Sequence, residues 1–276
     1  MQLALSVRIA EAPRRKDAIA PPFEELAALA AAAGFQALSL RASVVSVHSR
    51  PEQVAAARDL LDRLGLAVSM VTGDVPLAAN DAEATRAVRG IAPYLDLAEA
   101  LGARLVRVML HAAGDIAFAR QAADHAATRG ITLAHQTHWG SLFETVDGAL
   151  ARLAEIGRPK FAVTYEPANL LACGGDWGQE AIRRLAPRIA NVYFQNLRLD
   201  QTSPVTFATR RRGPVGVRFL PLGAAGGIAP GPLIETLAEV GYDGFVTVHQ
   251  PLLPGQTVAQ AVGEVAAVFK PLLGSG

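Results

Sequence analysis

The chain has 276 residues, 51% of them apolar and 18% charged, with 26 Lys and Arg against 25 Asp and Glu. That length buries a sizeable core without cross-links, and the even charge leaves no excess of positive groups to hold nucleic acid or anionic lipid. The single cysteine, Cys173, excludes an internal disulfide and fits a reducing compartment.

The start, MQLALSVRIAEAPRRK, has too short an apolar run, with an arginine inside it, for a secretion signal. No stretch reaches the roughly 18 uncharged apolar residues of a membrane span. The expectation is a soluble, cytoplasmic protein with no nucleic-acid or membrane partner.

Along the chain, short β-type runs alternate with longer Ala-, Leu-, Arg- and Glu-rich segments of helical spacing. Leu3–Val7 reads as a strand, then Phe23–Ala33 as a helix that Gly34 ends. Ala37–Arg41 and the helix Pro51–Leu64 follow, with Pro51 suited to a first helical turn and Gly65 to an end. Ala67–Val71 precedes a long helix, Asp81–Leu101, kinked at Pro93. Leu105–Leu110, Ile131–Gln136 and Phe161–Tyr165 are the next strands, each followed by a helix: Asp115–Thr128, Leu142–Ile156 and Gly178–Leu185. Ile189–Phe194 is the seventh strand. A long connection, Leu197–Gly227, leads to the helix Pro232–Val240, the eighth strand Phe245–Val248 and the last helix Val258–Leu272.

Eight strand–helix units in series predict a single (β/α)8 TIM barrel over residues 1–276, parallel strands ringed by helices. An open dinucleotide-binding sheet would carry a Gly-rich turn after its first strand. Here the turn reads Arg8-Ile9-Ala10-Glu11-Ala12-Pro13.

In such a barrel, functional groups collect where strands run into their following loops. The strand ends deliver Arg8; Arg41, with His48 nearby; Thr72 and Asp74; His111; Gln136 and His138, beside Trp139; Glu166 and Asn169; Tyr193, Gln195 and Asn196; and His249 and Gln250. Of the six histidines only His125 sits plainly on a helix. Imidazoles gathered at one rim suit acid–base work near neutral pH. Glu166, if desolvated, is the candidate base, with His138 or His249 as partner acid. Arg8 and Arg41 suit an enolate, carboxylate or phosphate. His48, His111, Trp139, Asn169, Tyr193 and Gln195 complete the expected substrate-binding set. Each also has a plainer reading as a buried hydrogen-bonding or packing residue. Arg210-Arg211-Arg212 with Arg218 reads either as a solvated loop face or as an anion clamp, and Cys173 as structural.

Several stretches together resemble the xylose isomerase-like superfamily of sugar and sugar-phosphate isomerases and epimerases. Gly34-Phe35-Gln36-Ala37-Leu38-Ser39-Leu40-Arg41 is similar to its "G-[FY]-x-x-[VI]-E-[LI]-R". Leu64-Gly65-Leu66-Ala67-Val68 resembles "x-G-L-x-V", and Gly102-Ala103-Arg104-Leu105-Val106-Arg107-Val108 resembles "G-A-x-x-[VI]-x-V". Gly241-Tyr242-Asp243-Gly244-Phe245-Val246-Thr247-Val248 is similar to the closing "G-Y-[DE]-G-[FW]-x-[ST]-[VI]-E".

The resemblance implies a small sugar-like substrate and, in metal-dependent members, a divalent ion held by Glu, Asp, His and Glu on strands five to eight. Here E-x-H reads Gln136-Thr137-His138, D-x-x-N reads Glu166-Pro167-Ala168-Asn169, H-x-K-D reads Tyr193-Phe194-Gln195-Asn196, and the final Glu is His249. Hard Mg²⁺ should bind that set poorly. A divalent Mn, Zn, Fe or Ni ion would fall to Gln136, Glu166 and His249, with His138 at hand. A site with no metal is equally consistent.

Two functions stay open. One is an isomerase, epimerase or related lyase working by proton transfer at the barrel rim. The other is a catalytically reduced barrel that binds a ligand or partner, including a second copy through its flat Ala-rich helices. A nuclease of the same superfamily would need more His and acidic ligands and a basic groove.

Overall fold

The computed structural model describes residues 1–12 and 15–274. The expected domain, residues 1–276, therefore includes four positions outside the described residues. Strands β1 (Gln2–Ser6), β2 (Ala37–Arg41), β3 (Ala67–Thr72), β4 (Leu105–Val108), β5 (Thr132–Gln136), β6 (Phe161–Tyr165) and β7 (Ile189–Phe194) pair in parallel, each with its neighbour in sequence. Three shorter strands leave the barrel after β7: β8 (Leu197–Leu199), β9 (Thr206–Thr209) and β10 (Gly213–Phe219). β11 (Phe245–Val248) then pairs with both β7 and β1 and closes an eight-stranded parallel barrel.

Closure explains the sequence pattern. Both faces of each barrel strand are covered, so a run such as Ala37-Leu38-Ser39-Leu40-Arg41 is buried at every position: Leu38 and Leu40 join the outer core, while Ser39 and Arg41 face the interior and the cavity. The outer faces join the helices in one continuous apolar core that includes Leu5, Leu38, Val106, Phe161 and Val248. The barrel interior is a small separate cluster of Met70, Leu105, Ala134 and Tyr193. Polar pairs also fill it: Thr164 Oγ1 meets Met70 Sδ at 3.6 Å and Thr247 Oγ1 donates to Asn191 at 2.9 Å.

The ring is built of α1 (Phe23–Ala32), α2 (Pro51–Arg63), α3 (Val75–Ala79), α4 (Arg86–Arg89), α5 (Ala92–Ala100), α6 (Asp115–Thr128), α7 (Val146–Ile156), α8 (Pro167–Ala172), α9 (Gln179–Leu185), α10 (Pro230–Glu239) and α11 (Val258–Leu273). α7 stops at Gly157, whose φ of 61° lets its N–H reach Leu153 O without a Cβ clash.

Two expected helices differ. Asp81–Leu101 is not one helix but a 3-10 turn (Ala82–Thr85), α4 and α5, separated at Gly90, where φ is −140° and ψ 64°. Pro93 lies in the first turn of α5, so it starts a helix rather than kinking one. α7 begins at Val146, not Leu142, because Thr145 Oγ1 caps it by accepting from Gly148 N at 2.9 Å.

The long connection Leu197–Gly227 is folded, not irregular. β8, β10 and β9 form a three-stranded antiparallel sheet. Phe207 of β9 stacks on Trp139, 5.3 Å between ring centroids, and so brings this sheet over the carboxyl end of the barrel. Glu144 holds it there: its carboxylate accepts from Arg210 N at 2.7 Å and Arg211 N at 3.2 Å in the sheet, and from Gly140 N at 2.6 Å in the loop after β5.

Candidate active site

A cavity of about 130 Å³ opens at the carboxyl end of the barrel. Its wall is made by residues from most of the strand ends. Arg8 comes from the turn after β1, Arg41 from β2, Arg107 from β4, Gln136 and His138 from β5 and the loop after it, Asn169 from α8, Gln195 from the end of β7 and His249 from the end of β11. Trp139, Phe207, Lys16 and Ala78–Asn80 complete it. A larger cleft of about 820 Å³ lies at the amino end, beside Met1, Gln36, Lys270 and Leu273. Among the described residues it gathers no catalytic set, and in this architecture chemistry belongs to the opposite face.

Glu166 is fully buried directly behind the cavity wall. Thr137 fixes its backbone, donating to Glu166 O at 3.2 Å and accepting from its N–H at 2.8 Å. Three amides hold its carboxylate. Gln136 Nε2 and Asn169 Nδ2 (2.8 Å) donate to Oε2, and Gln195 Nε2 donates to Oε1. An ionised carboxylate only accepts, so each amide must turn its nitrogen toward it. Burial raises the Glu166 carboxyl to about 7, although Gln136, Arg8, Arg107 and Gln195 all favour the charged form.

The two imidazoles of the wall are neutral. His138 Nδ1 lies 2.7 Å from Trp139 O, a carbonyl that can only accept, so the proton is on Nδ1 and Nε2 carries the lone pair. His249 Nδ1 lies 2.8 Å from Ser6 Oγ, and its ring stacks on Tyr193 at 4.0 Å. Burial lowers both well below the ordinary histidine value, with Arg107 acting next on His138 and Arg8 next on His249. Each ring therefore keeps a free lone pair at neutral pH, although burial makes it a weaker base than an exposed imidazole.

Arg41 does not reach Glu166. Its Nε donates to Glu11 Oε1 at 2.6 Å, and Ser43 (3.0 Å) and Lys16 (3.0 Å) share that carboxylate. Burial and the neighbouring Arg8 lower the Lys16 ammonium to about 8.

Residues 27–270 match the family described as Xylose isomerase-like TIM barrel. The chain belongs to this family. Among solved structures it resembles D-psicose 3-epimerase determined in the presence of D-fructose, with 15% identity, all of both chains covered and a TM-score of 0.71. It also resembles the probable 3-DHS dehydratase AsbF of Bacillus anthracis, at 17% identity over 97% of this chain and 98% of that one, TM-score 0.69. A xylose isomerase-like TIM barrel protein of Mycobacterium smegmatis in complex with magnesium is similar at 18% identity, 99% and 98% coverage and a TM-score of 0.66. At these identities the likeness shows the shared fold. No curated protein matches in sequence.

The donor set of this xylose isomerase-like barrel does not fit the divalent ion that some of its relatives hold. Glu166 has both oxygens taken by amide N–H groups, and Gln136 and Gln195 present donors, not lone pairs, to it. Among the described residues no three His, Cys, Asp or Glu side chains converge as a metal cluster. Four cationic groups share the cavity instead.

Not every expected site residue reaches the cavity. His48 is exposed and borders a separate depression with Asp74 and Tyr94. His111 lies among loops, its ring nitrogens 3.1 Å from Gly140 O and 2.9 Å from Asp81 O. Tyr193 sits beneath His249 in the barrel interior, bonded to Ser39 Oγ at 2.8 Å. The arginines of the long connection do not line the wall. Arg210 donates to the carbonyls of His111 and Gly140, and Arg218 pairs with Asp200. Burial raises the Cys173 thiol to about 12, which leaves it unreactive.

Arg107, Lys16, Asn80 and Phe207 also line the cavity, though they are not among the expected site residues. Arg107 had a visible signal: a lone charge inside the apolar run Leu105-Val106-Arg107-Val108 of a strand buried on both faces. The other three lie in turns and in the added sheet, where no strand period pointed to them.

Proposed function

We propose that this protein is an isomerase, epimerase or related lyase that moves a proton on a small, sugar-like, polyhydroxylated substrate at the carboxyl rim of the barrel. The observation that carries the reading is the pair of neutral imidazoles, His138 and His249, in the wall of one cavity. Each has its Nδ1 engaged, by Trp139 O and Ser6 Oγ, and no protein partner at Nε2 among the described residues. One Nε2 takes the proton from the substrate carbon; that ring, now an imidazolium, returns the same proton to a substrate carbon or gives it to the departing hydroxyl, while the other, neutral ring accepts a hydrogen bond from a substrate hydroxyl at its own Nε2.

Glu166 stands behind them. Its three amide bonds orient Gln136, Asn169 and Gln195, whose remaining donors and acceptors suit substrate hydroxyls. Trp139 and Phe207 offer flat apolar faces to the carbon skeleton. The balanced charge and the buried lone cysteine support a cytoplasmic protein working on a small molecule.

The reading is tested by deuterium wash-in. The protein is incubated in D₂O with ketoses, ketose phosphates and hydroxy- or keto-acids, and carbon-bound deuterium is followed by NMR. The expected result is exchange or conversion of at least one panel member, lost in His138→Gln and His249→Gln. Exchange that persists in both variants contradicts the assignment. A protein that binds panel members but exchanges none is the non-catalytic barrel, a reading supported by a cavity wall that holds no carboxylate among the described residues.

A further inference from the structure

The cavity carries more positive charge than its surroundings neutralise. Arg8, Lys16, Arg41 and Arg107 all line it. Glu11 serves two of them, accepting from Arg41 at 2.6 Å and Lys16 at 3.0 Å. Among the described residues neither Arg8 nor Arg107 has a carboxylate partner. Arg8 Nη1 donates to Gln195 Oε1 and His249 O, both at 3.2 Å. Arg107 donates to Leu77 O at 2.6 Å and to the Asn80 side-chain oxygen. The Nε of each is buried without a hydrogen-bond partner. Arg107 is 1% exposed, so its charge is not solvated by water outside.

A buried guanidinium without a counter-charge is costly, and one with a free N–H is costlier. Glu166, behind the wall, acts on both arginines through space but bonds to neither, and the Gln195 amide lies between it and Arg8. What satisfies both arginines at once is a planar or tetrahedral group with several acceptor oxygens, for which the guanidinium fork is matched.

We infer that the substrate enters this cavity through an oxyanion, a carboxylate or phosphate group, held by Arg8 and Arg107 with Lys16 at the rim. The inference rests on the proton-transfer reading above for its substrate, but the anion site stands on its own geometry. It also ties binding to chemistry. Arg8 and Arg107 are among the groups that hold His138 and His249 neutral, so an anion that offsets them raises both imidazoles and makes them stronger bases.

The test titrates the whole protein with sodium phosphate and, separately, with sodium acetate, each against sodium chloride at equal ionic strength. D-fructose and MnCl₂ serve as the neutral and cationic arms. Melting temperature and the histidine Cε1–H NMR signals are recorded together. The expected result is a saturable rise in Tm with phosphate, acetate or both, with matching shifts of the His138 and His249 signals. Saturation by phosphate alone assigns a phosphorylated substrate, and by acetate alone a carboxylic acid. Arg8→Gln weakens anion binding by at least about tenfold, while Arg198→Gln, on the exposed face of β8, leaves it unchanged. Saturation by Mn²⁺ with no anion response overturns the inference, as does an anion response that never moves the two histidine signals. Anion saturation without deuterium exchange would remove the proposed reaction and keep the site. Exchange on neutral ketoses with no anion response would do the reverse.

Discussion

Arg8 and Glu166 do not touch: the Gln195 carboxamide stands between them, accepting from Arg8 Nη1 at 3.2 Å and donating to Glu166 Oε1. One neutral side chain thus fixes the orientation of a cation in the cavity wall and of an acid behind it. Gln195→Leu removes the acceptor of one and the donor of the other. The expected cost is about 1–3 kcal/mol for each buried group left unsatisfied. It is read as a lower midpoint in urea unfolding with unchanged slope. The Glu166 carboxyl should move further up, because one bond favouring its charged form is lost. An unchanged midpoint would mean that the link bears no load.

The imidazoles carry the predicted chemistry. His249→Gln or His138→Gln should lower kcat/KM by about 10²–10⁴-fold while the far-UV circular dichroism stays that of the parent. Loss confined to KM would make the residue a binding group only.

Stability should fall on acidification. Burial holds His135 at about 3 and puts His138 and His249 well below the usual 6.5. Below about pH 6.5 the unfolded chain takes up protons at these three positions that the native state refuses. Their stabilisation is therefore present above that pH and lost as pH falls through the native values. Glu166 works the other way. Raised from 4.5 to about 7, it stabilises the fold at low pH and loses that contribution as pH rises through about 7. Three groups against one leave a net loss below pH 6.5, at most about 2–3 kcal/mol per pH unit. Urea midpoints from pH 8 to 5 check the slope. A midpoint that rises on acidification contradicts it.

The added sheet should be held mainly by Glu144, since its carboxylate collects N–H groups of Gly140, Arg210 and Arg211. Glu144→Ala should speed proteolytic cutting between residues 200 and 216 several-fold, with little loss in the barrel's own Tm. Equal cutting rates would show that the Trp139–Phe207 stack suffices.

Much of this architecture was legible in the sequence because a closed parallel barrel writes a strong pattern: continuous apolar strands, helices of regular period and a glycine such as Gly157 at the turn back. The strand ends could be read for the same reason, and Gln136, Glu166, Asn169, Gln195 and His249 do meet there. What escaped depends on contacts far apart in the chain. The sheet of β8–β10 has short, half-exposed strands with weak alternation, and it is placed by Glu144 some 66 residues away from Arg210. The break at Gly90 lies inside a continuous helical period, in which Pro93 marks the start of α5. His48 and His111 carry the right side chain near strand ends, yet the loops turn them to the surface or to backbone carbonyls. The partner of Arg41 is likewise set by tertiary contact: Glu11 lies 30 residues away in the chain.

The protonation of His138 and His249 decides whether the proposed chemistry can run, and ¹⁵N NMR of the histidine side chains at pH 7 measures it directly. The predicted spectrum shows His138 as a neutral tautomer with the proton on Nδ1, and His249 also neutral, both unchanged down to about pH 6. Two imidazolium signals at pH 7 would contradict it, since neither ring could then accept a proton from a substrate.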